Sequence, residues 1–489
     1  MNQAAYAIAL WCGLPALGAD FEKEVAPILA ARCLECHNAT EAAGGLRLVS
    51  EAGLRKGGDE GAVLDPAAAH GGRLLERIKA GEMPPESKGK SQKLPAAEIA
   101  TLEAWIKSGA PWPKGRVIDP YERTSPARGG RDWWSLQPVK RTEPPALKSG
   151  VKKANPIDAF LETEREKAGL VAAPAADRRT LLRRVYYTLH GLPPTAAELD
   201  AFAADDRPDA YERAVDKLLA SPRYGERWGR HWLDVARYAE TSGYERDQEK
   251  PGAWKYRDWV IAAFNADMPF DRFVREQLAG DEIPGRTEAS TIATGFLRLG
   301  TWNDEPNDPG EYVYERLDDL VHATSAAFLG LTVRCARCHD HKFDPIPQTD
   351  YYRLATAFWA GPMTERKREW VGGPSKEELG FDVLGWTDVR MPPPPLHLLK
   401  KGDARHPAEP IAPATLSILP KLEKPMAPPA AGAKTAGRRR QLADWLCDPA
   451  NPLPARVYVN RLWIHHFGKG LVPSPNNFGF KGDSPTNPA

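Results

Sequence analysis

Apolar residues recur at helical spacing along most of the chain, and nowhere do they alternate at period two over a sustained run. Near the start, Phe21–Arg32 puts Val25, Ile28 and Leu29 on one face. Gly72–Ala80 predicts a second helix, and Ala96–Ser108 a third with Ile99, Leu102, Trp105 and Ile106 in one stripe. The same spacing returns over Thr180–Leu189, Ala210–Leu219, Tyr224–Ala239, Trp254–Asn265, Phe270–Leu278, Glu311–Leu331 and Thr349–Trp359. Pro193-Pro194, Ser221-Pro222 and Asp281–Pro284 mark breaks between them. A last periodic stretch, Arg438–Phe467, opens a further helical piece. The pattern predicts a mostly α fold. A small helical module over residues 20–113 is joined to a larger all-α domain over 155–362, and an incomplete helical piece covers 436–489. Residues 114–153 are rich in Pro, Arg and Lys and read as a linker. Residues 363–435, with Pro392–Pro395 and Pro-Ala repeats, read as a second, largely unstructured linker.

Charge and composition narrow the function classes. The 66 Lys+Arg and 65 Asp+Glu leave a net charge of +1, so the chain has no general attraction for nucleic acid or anionic membrane. Beyond the N-terminus no apolar run approaches the roughly 20 residues that span a bilayer, and mean hydropathy is −0.49, which argues against an integral membrane protein. Residues 1–19 lack charge, run apolar from Ala4 to Leu17, and end in small residues at Ala16, Gly18 and Ala19. They read as a secretory signal cleaved near Ala19, although without the basic start. A buried N-terminal helix is the alternative. Export would place the mature chain in the periplasm or otherwise outside the cytoplasm.

Six cysteines are too few for a disulfide scaffold in 489 residues, and four of them lie in two C-x-x-C-H pentapeptides, Cys33–His37 and Cys335–His339. Two such matches arise by chance on the order of once in a million shuffled chains, and the pattern is that of c-type haem attachment. Two thiols add to the porphyrin's vinyl groups, and the next residue's imidazole reaches the iron. Cys33, Cys36 and His37 supply these groups in the first module. Met83 lies 46 residues beyond His37 in Gly81-Glu82-Met83-Pro84-Pro85, a loop that the prolines stiffen, and it is the candidate sixth ligand. A core role for Met83 is the alternative. His70, in an Ala-Ala-His-Gly-Gly turn, is the module's other histidine.

The second motif leaves more open. Cys335, Cys338 and His339 have haem spacing, but with His341 they also place two Cys and two His within seven residues, as a structural zinc site would. No second Cys/His knuckle is evident nearby. A sixth haem ligand is not obvious: His341 lies on the same side as His339, His322 sits 13 residues before Cys335, and His190 caps a loop. His231, mid-helix beside Trp232, is the remaining candidate, with a satisfied core histidine or an open iron as alternatives. The carboxylates Asp234, Glu240, Asp247, Asp258, Asp267, Glu276 and Asp281 could include an acid/base pair for a sugar, or simply solvated and ion-paired groups. Arg230, Arg237, Arg337 and Lys342 could neutralise haem propionates.

Residues 21–113 resemble the planctomycete cytochrome c domain, through Val25–Leu29, Cys33–His37, Gly44–Leu48, Met83–Pro85 and Trp105–Ala110. The resemblance makes this module cytochrome c-like and implies Met83 as distal ligand. Residues 155–360 resemble the domain of unknown function that accompanies it, through Leu192–Thr195, Arg230–Tyr238, Tyr256–Val260, Glu276–Asp281 and Cys335–Tyr352. Residues 438–485 resemble the start of a second companion domain, through Asn460–Trp463, Phe467–Val472 and Phe478-Gly479, which implies that the piece is truncated. The resulting expectation is an exported c-type cytochrome with two haem c groups that transfers electrons to or from a redox protein or a small donor or acceptor. Two alternatives stand beside it. One is a haem-dependent oxidoreductase acting on carbohydrate, and the other is a single-haem cytochrome with a zinc-stabilised second domain.

Overall fold

The computed structural model describes residues 19–39, 42–68, 70–86, 89–146, 155–303, 305–363, 376–380 and 382–488. The segment 1–18, read above as an export signal, lies outside them. Helix accounts for 46% of the chain, and the described residues hold one two-stranded sheet, so the fold is mostly α. The chain divides into two compact units, residues 1–133 and 134–489.

In the first unit, Asp20 caps a π turn, Phe21–Val25, that runs into the helix Ala26–Arg32. Helices Glu51–Lys56, Arg73–Ala80 and Ala96–Lys107 follow. Their apolar faces bury Val25, Leu29, Leu75, Ile78, Leu102, Trp105 and Ile106 in one core. Phe21 packs against Trp105 and Trp112, and the two indoles donate to the carbonyls of Pro111 and Arg116. Each buried N–H is thereby satisfied. Arg32 and Glu98 form a two-pronged, part-buried pair at 2.8 and 2.9 Å that ties the first helix to the last. The packed unit continues past residue 113: the Ile118 amide bonds to the Val49 carbonyl at 2.8 Å, and Ile118 is fully buried.

The second unit is built from helices that start on explicit caps. Asp177, Thr195, Ser221, Asp308 and Asn451 each accept a backbone N–H at the start of Arg178–Leu189, Ala196–Ala203, Pro222–Val235, Pro309–Thr324 and Pro452–Phe467. Pro222–Val235 packs along Ala253–Asn265. At the centre, Trp232 Nε1 donates to Gln277 Oε1 at 2.7 Å, as does the Tyr256 hydroxyl, while Phe273 lies against Trp232 and Trp259. The single stretch Arg438–Phe467 is two helices, Arg438–Leu446 and Pro452–Phe467, because Asn451 caps a new start at Pro452.

Residues 382–435 of the Pro-rich stretch, expected to be largely unstructured, pack against the helices. They carry the sheet, β1 (His397–Leu399) antiparallel to β2 (Pro407–Pro410), and bury Trp386, Leu396, Leu399, Leu416 and Ile418. Asp350, fully buried on Gln348–Thr356, accepts from the Ser417 and Ile418 amides at 3.0 and 3.1 Å and pins this stretch in place.

Candidate functional site

The first C-x-x-C-H continues the Ala26–Arg32 helix by one turn. The Cys33 amide bonds to the Leu29 carbonyl at 2.9 Å, and the His37 amide to the Cys33 carbonyl at 3.0 Å. Leu34, fully buried, anchors the turn, while Cys33 and Cys36 are half-buried and in no disulfide. The His37 ring directs Nδ1 at the Leu46 carbonyl, 3.3 Å away. A carbonyl only accepts, so Nδ1 carries the proton and Nε2 is left with its lone pair free for a metal. Burial pushes the Cys33 thiol up to about 12, with Glu98 acting in the same direction and Arg32 against it. It is a protonated thiol at neutral pH, the form that adds S–H across a vinyl group.

Met83 is positioned by the end of Arg73–Ala80. Gly81 takes φ +80°, a conformation that favours glycine, and the Glu82 and Met83 amides fold back on the Arg77 carbonyl at 3.0 and 3.3 Å. Met83 and Cys33 pack on the same apolar core. His70, by contrast, is half exposed and faces Glu76 at 3.3 Å. The thiol pair, the free Nε2 of His37 and the thioether of Met83 are a donor set that fits haem c.

The second motif begins inside a short turn of helix, Val333–Ala336, which contains Cys335, and both thiols are free and exposed. His339 repeats the arrangement of His37: Nδ1 lies 2.6 Å from the Asp340 carbonyl, which fixes the proton there and leaves Nε2 open. His341 is different. It is buried, its Nδ1 accepts from the Phe343 and Asp344 amides at 3.2 and 2.8 Å, and its Nε2 donates to Thr332 Oγ1 at 3.1 Å. Both ring nitrogens are engaged, so His341 is a structural post rather than a zinc ligand. Among the described residues no three His, Cys, Asp or Glu side chains converge as a metal site. Arg337, expected near haem propionates, pairs with Glu311 and donates to the Gly402 carbonyl at 3.1 Å.

His231 lies elsewhere in the second unit. Its ring stacks on His465 at 3.7 Å, with Trp228 edge-on at 5.5 Å, and none of these partners comes from the second motif. Burial, then His465, pushes its pKa down to about 4. His190 donates from Nε2 to the Leu218 carbonyl, 3.0 Å away. Several of the carboxylates singled out above are taken up in ion pairs: Glu240 and Asp258 share Arg257, Glu276 pairs with Arg272, and Asp281 with Arg439. Sequence reasoning missed the Leu46 carbonyl and the Arg77 carbonyl, which aim His37 and Met83. The glycine at 81 is the one signal that pointed to the second. It also missed His465, which the doubled His465-His466 of the last helix could have suggested.

Comparison with known families places names on these segments. Residues 33–87 match the family model for Planctomycete cytochrome C, and residues 156–361 match that for a Protein of unknown function (DUF1549). Residues 438–489 match part of the model for a Protein of unknown function (DUF1553). No curated protein and no solved structure matches the chain. Among the described residues no helix is long and apolar enough to cross a membrane. With its Cys33–His37 motif and Met83 both inside the first match, the chain carries, in order, a planctomycete cytochrome c segment, a DUF1549 segment and a partial DUF1553 segment.

Proposed function

We propose that the chain is an exported c-type cytochrome that transfers electrons, with haem c held at both C-x-x-C-H motifs. The observation that carries this reading is the pairing seen in both motifs: the histidine after the second thiol spends Nδ1 on a backbone carbonyl and keeps Nε2 free. Cys33 and Cys36 would make the thioethers of the first haem, and Cys335 and Cys338 those of the second. His37 and His339 are the proximal ligands. When bound, haem supplies a one-electron iron couple.

The protein's part is to bind, orient and exclude water. The Leu46 carbonyl holds the His37 ring in one tautomer, and the Arg77 carbonyl and Gly81 hold Met83. The core around Leu29, Leu34 and Trp105 keeps the first site apolar on its inner side. His/Met ligation raises the potential and suits transfer rather than oxygen binding. In this reading the partner is a redox protein or a small electron donor or acceptor.

A spectroelectrochemical titration of the exported full-length chain tests the function. Two reversible one-electron waves, with no carbon monoxide binding at the first iron, are expected. Irreversible waves, or carbon monoxide binding at both irons, would overturn electron transfer and favour the oxidoreductase alternative.

A further inference from the structure

We infer that Met391 is the axial thioether ligand opposite His339 at the second motif. The inference rests on the reading that Cys335 and Cys338 hold haem c. The sequence Met-Pro-Pro occurs at two places in the chain, Met83–Pro85 and Met391–Pro393. Each follows a C-x-x-C-H, the first 46 residues after His37 and the second 52 residues after His339. Pro392–Pro395 continue the second into a stiff run, which lowers the entropy lost in holding a side chain at a fixed place.

The chain on both sides of Met391 is tied to elements that also hold the second motif. On the N-terminal side, the Val389 and Arg390 amides bond to the Ala360 carbonyl at 2.9 and 3.0 Å, and the Arg390 guanidinium lies 4.7 Å over the Trp359 ring. Trp359 stacks on Tyr314 at 5.6 Å. Tyr314 shares the helix Pro309–Thr324 with Glu311, and Glu311 pairs with Arg337 inside the motif. On the C-terminal side, Gln348 Nε2 joins the Arg337 and Leu399 carbonyls at 2.8 and 3.0 Å. The backbone at Gly402 approaches so closely that a Cβ there would fall 2.4 Å from Cys338 Sγ. Met391 lies eleven positions before that contact. Met391 is half-buried, unlike Met363 and Met426, which are buried in the core at 2% and 8% exposure.

Two of the competing nitrogen donors are engaged elsewhere. His341 has both ring nitrogens engaged, and His231 is stacked on His465. His322, half-buried among Arg334, Asp318, Asp319 and Arg237, is the rival on the neighbouring helix. A histidine there would give a bis-imidazole iron, which lacks the weak near-infrared sulfur–iron band of oxidised His/Met haem.

The test uses the exported full-length chain and its Met83→Leu, Met391→Leu and double variants, with haem per chain counted in each. Leucine keeps the volume and removes the sulfur, and an unchanged haem count shows that the variants are assembled. Two haems per chain are expected throughout, with the near-infrared band halved in each single variant and absent in the double. Two haems with a band that Met391→Leu leaves unchanged, or that Met83→Leu alone abolishes, would overturn Met391 and leave the second haem standing. One haem per chain in the wild type would overturn the second haem and Met391 together.

Discussion

Replacing Asp350 tests whether the Pro-rich stretch is held as the structure has it. The carboxylate has no solvent exposure. Its Oδ1 accepts from the Ser417 amide at 3.0 Å and from Arg353 at 3.2 Å. Its Oδ2 accepts from the Ile418 amide and the Ser417 hydroxyl, both at 3.1 Å. Asp350→Ala strands two amides in the interior, at about 1–3 kcal/mol each. Part of that loss is returned because burial, opposed by these same hydrogen bonds, raises the Asp350 pKa, so the carboxylate is itself strained by desolvation. The net expectation is about 3 kcal/mol for alanine. Asp350→Asn keeps an oxygen for Ser417 and strands only Ile418, for about half that cost. Hydrogen exchange reads the effect locally: protection of the Ser417 and Ile418 amides should fall by about two decades in the alanine variant and one in the asparagine variant, at 1.4 kcal/mol per decade. Protection within a factor of two of wild type in Asp350→Ala, or equal losses in the two variants, would refute the clamp.

Other substitutions probe the remaining parts. Glu282 is buried with Arg439, Asp281 and Asp388, and burial raises it to about 7. The folded state therefore holds a proton between about pH 4.3 and 7 that the unfolded state has released, so stability falls as pH rises through that window and levels off above it. Glu282→Gln should flatten this slope in urea titrations and raise stability at pH 8; an unchanged slope assigns the pH dependence to another group. Gly81→Ala should cost about 1–2 kcal/mol by forcing φ +80° on a side chain, and should weaken the near-infrared band by loosening Met83; a variant as stable as wild type would show that the turn is not strained. Trp232→Phe should lower the second unit's stability by about 1–3 kcal/mol by removing one donor to Gln277, and Tyr256→Phe should cost more in that background than alone, because it then leaves the buried Gln277 Oε1 with neither donor; independent, additive losses would contradict the shared network.

The helices were legible because each buries one face against a neighbour. Trp254–Asn265 and Phe270–Leu278 show that spacing, and the structure builds Ala253–Asn265 and Phe270–Ala279 there. The break at Cys447–Asn451 was not read, because the periodicity on both sides hid the signal in Asn451-Pro452. Residues 376–435 were not legible. Their buried side chains stand singly between prolines, so no period forms, and the contacts that order them come from Asp350, 67 residues before Ser417. At the first motif the sequence named the thiols, the imidazole and the methionine, since their chemistry dictates residue type. It could not name the carbonyls of Leu46 and Arg77, because any residue supplies a carbonyl and only the fold aims it.

The central claim is that both C-x-x-C-H motifs carry covalent haem, and the mass of the acid-denatured chain after export through a cytochrome c maturation system tests it most directly. The expected mass is the polypeptide plus two haems, with one haem each for the Cys33→Ser/Cys36→Ser and Cys335→Ser/Cys338→Ser variants. A wild-type chain with one haem, still present in Cys335→Ser/Cys338→Ser, would contradict it.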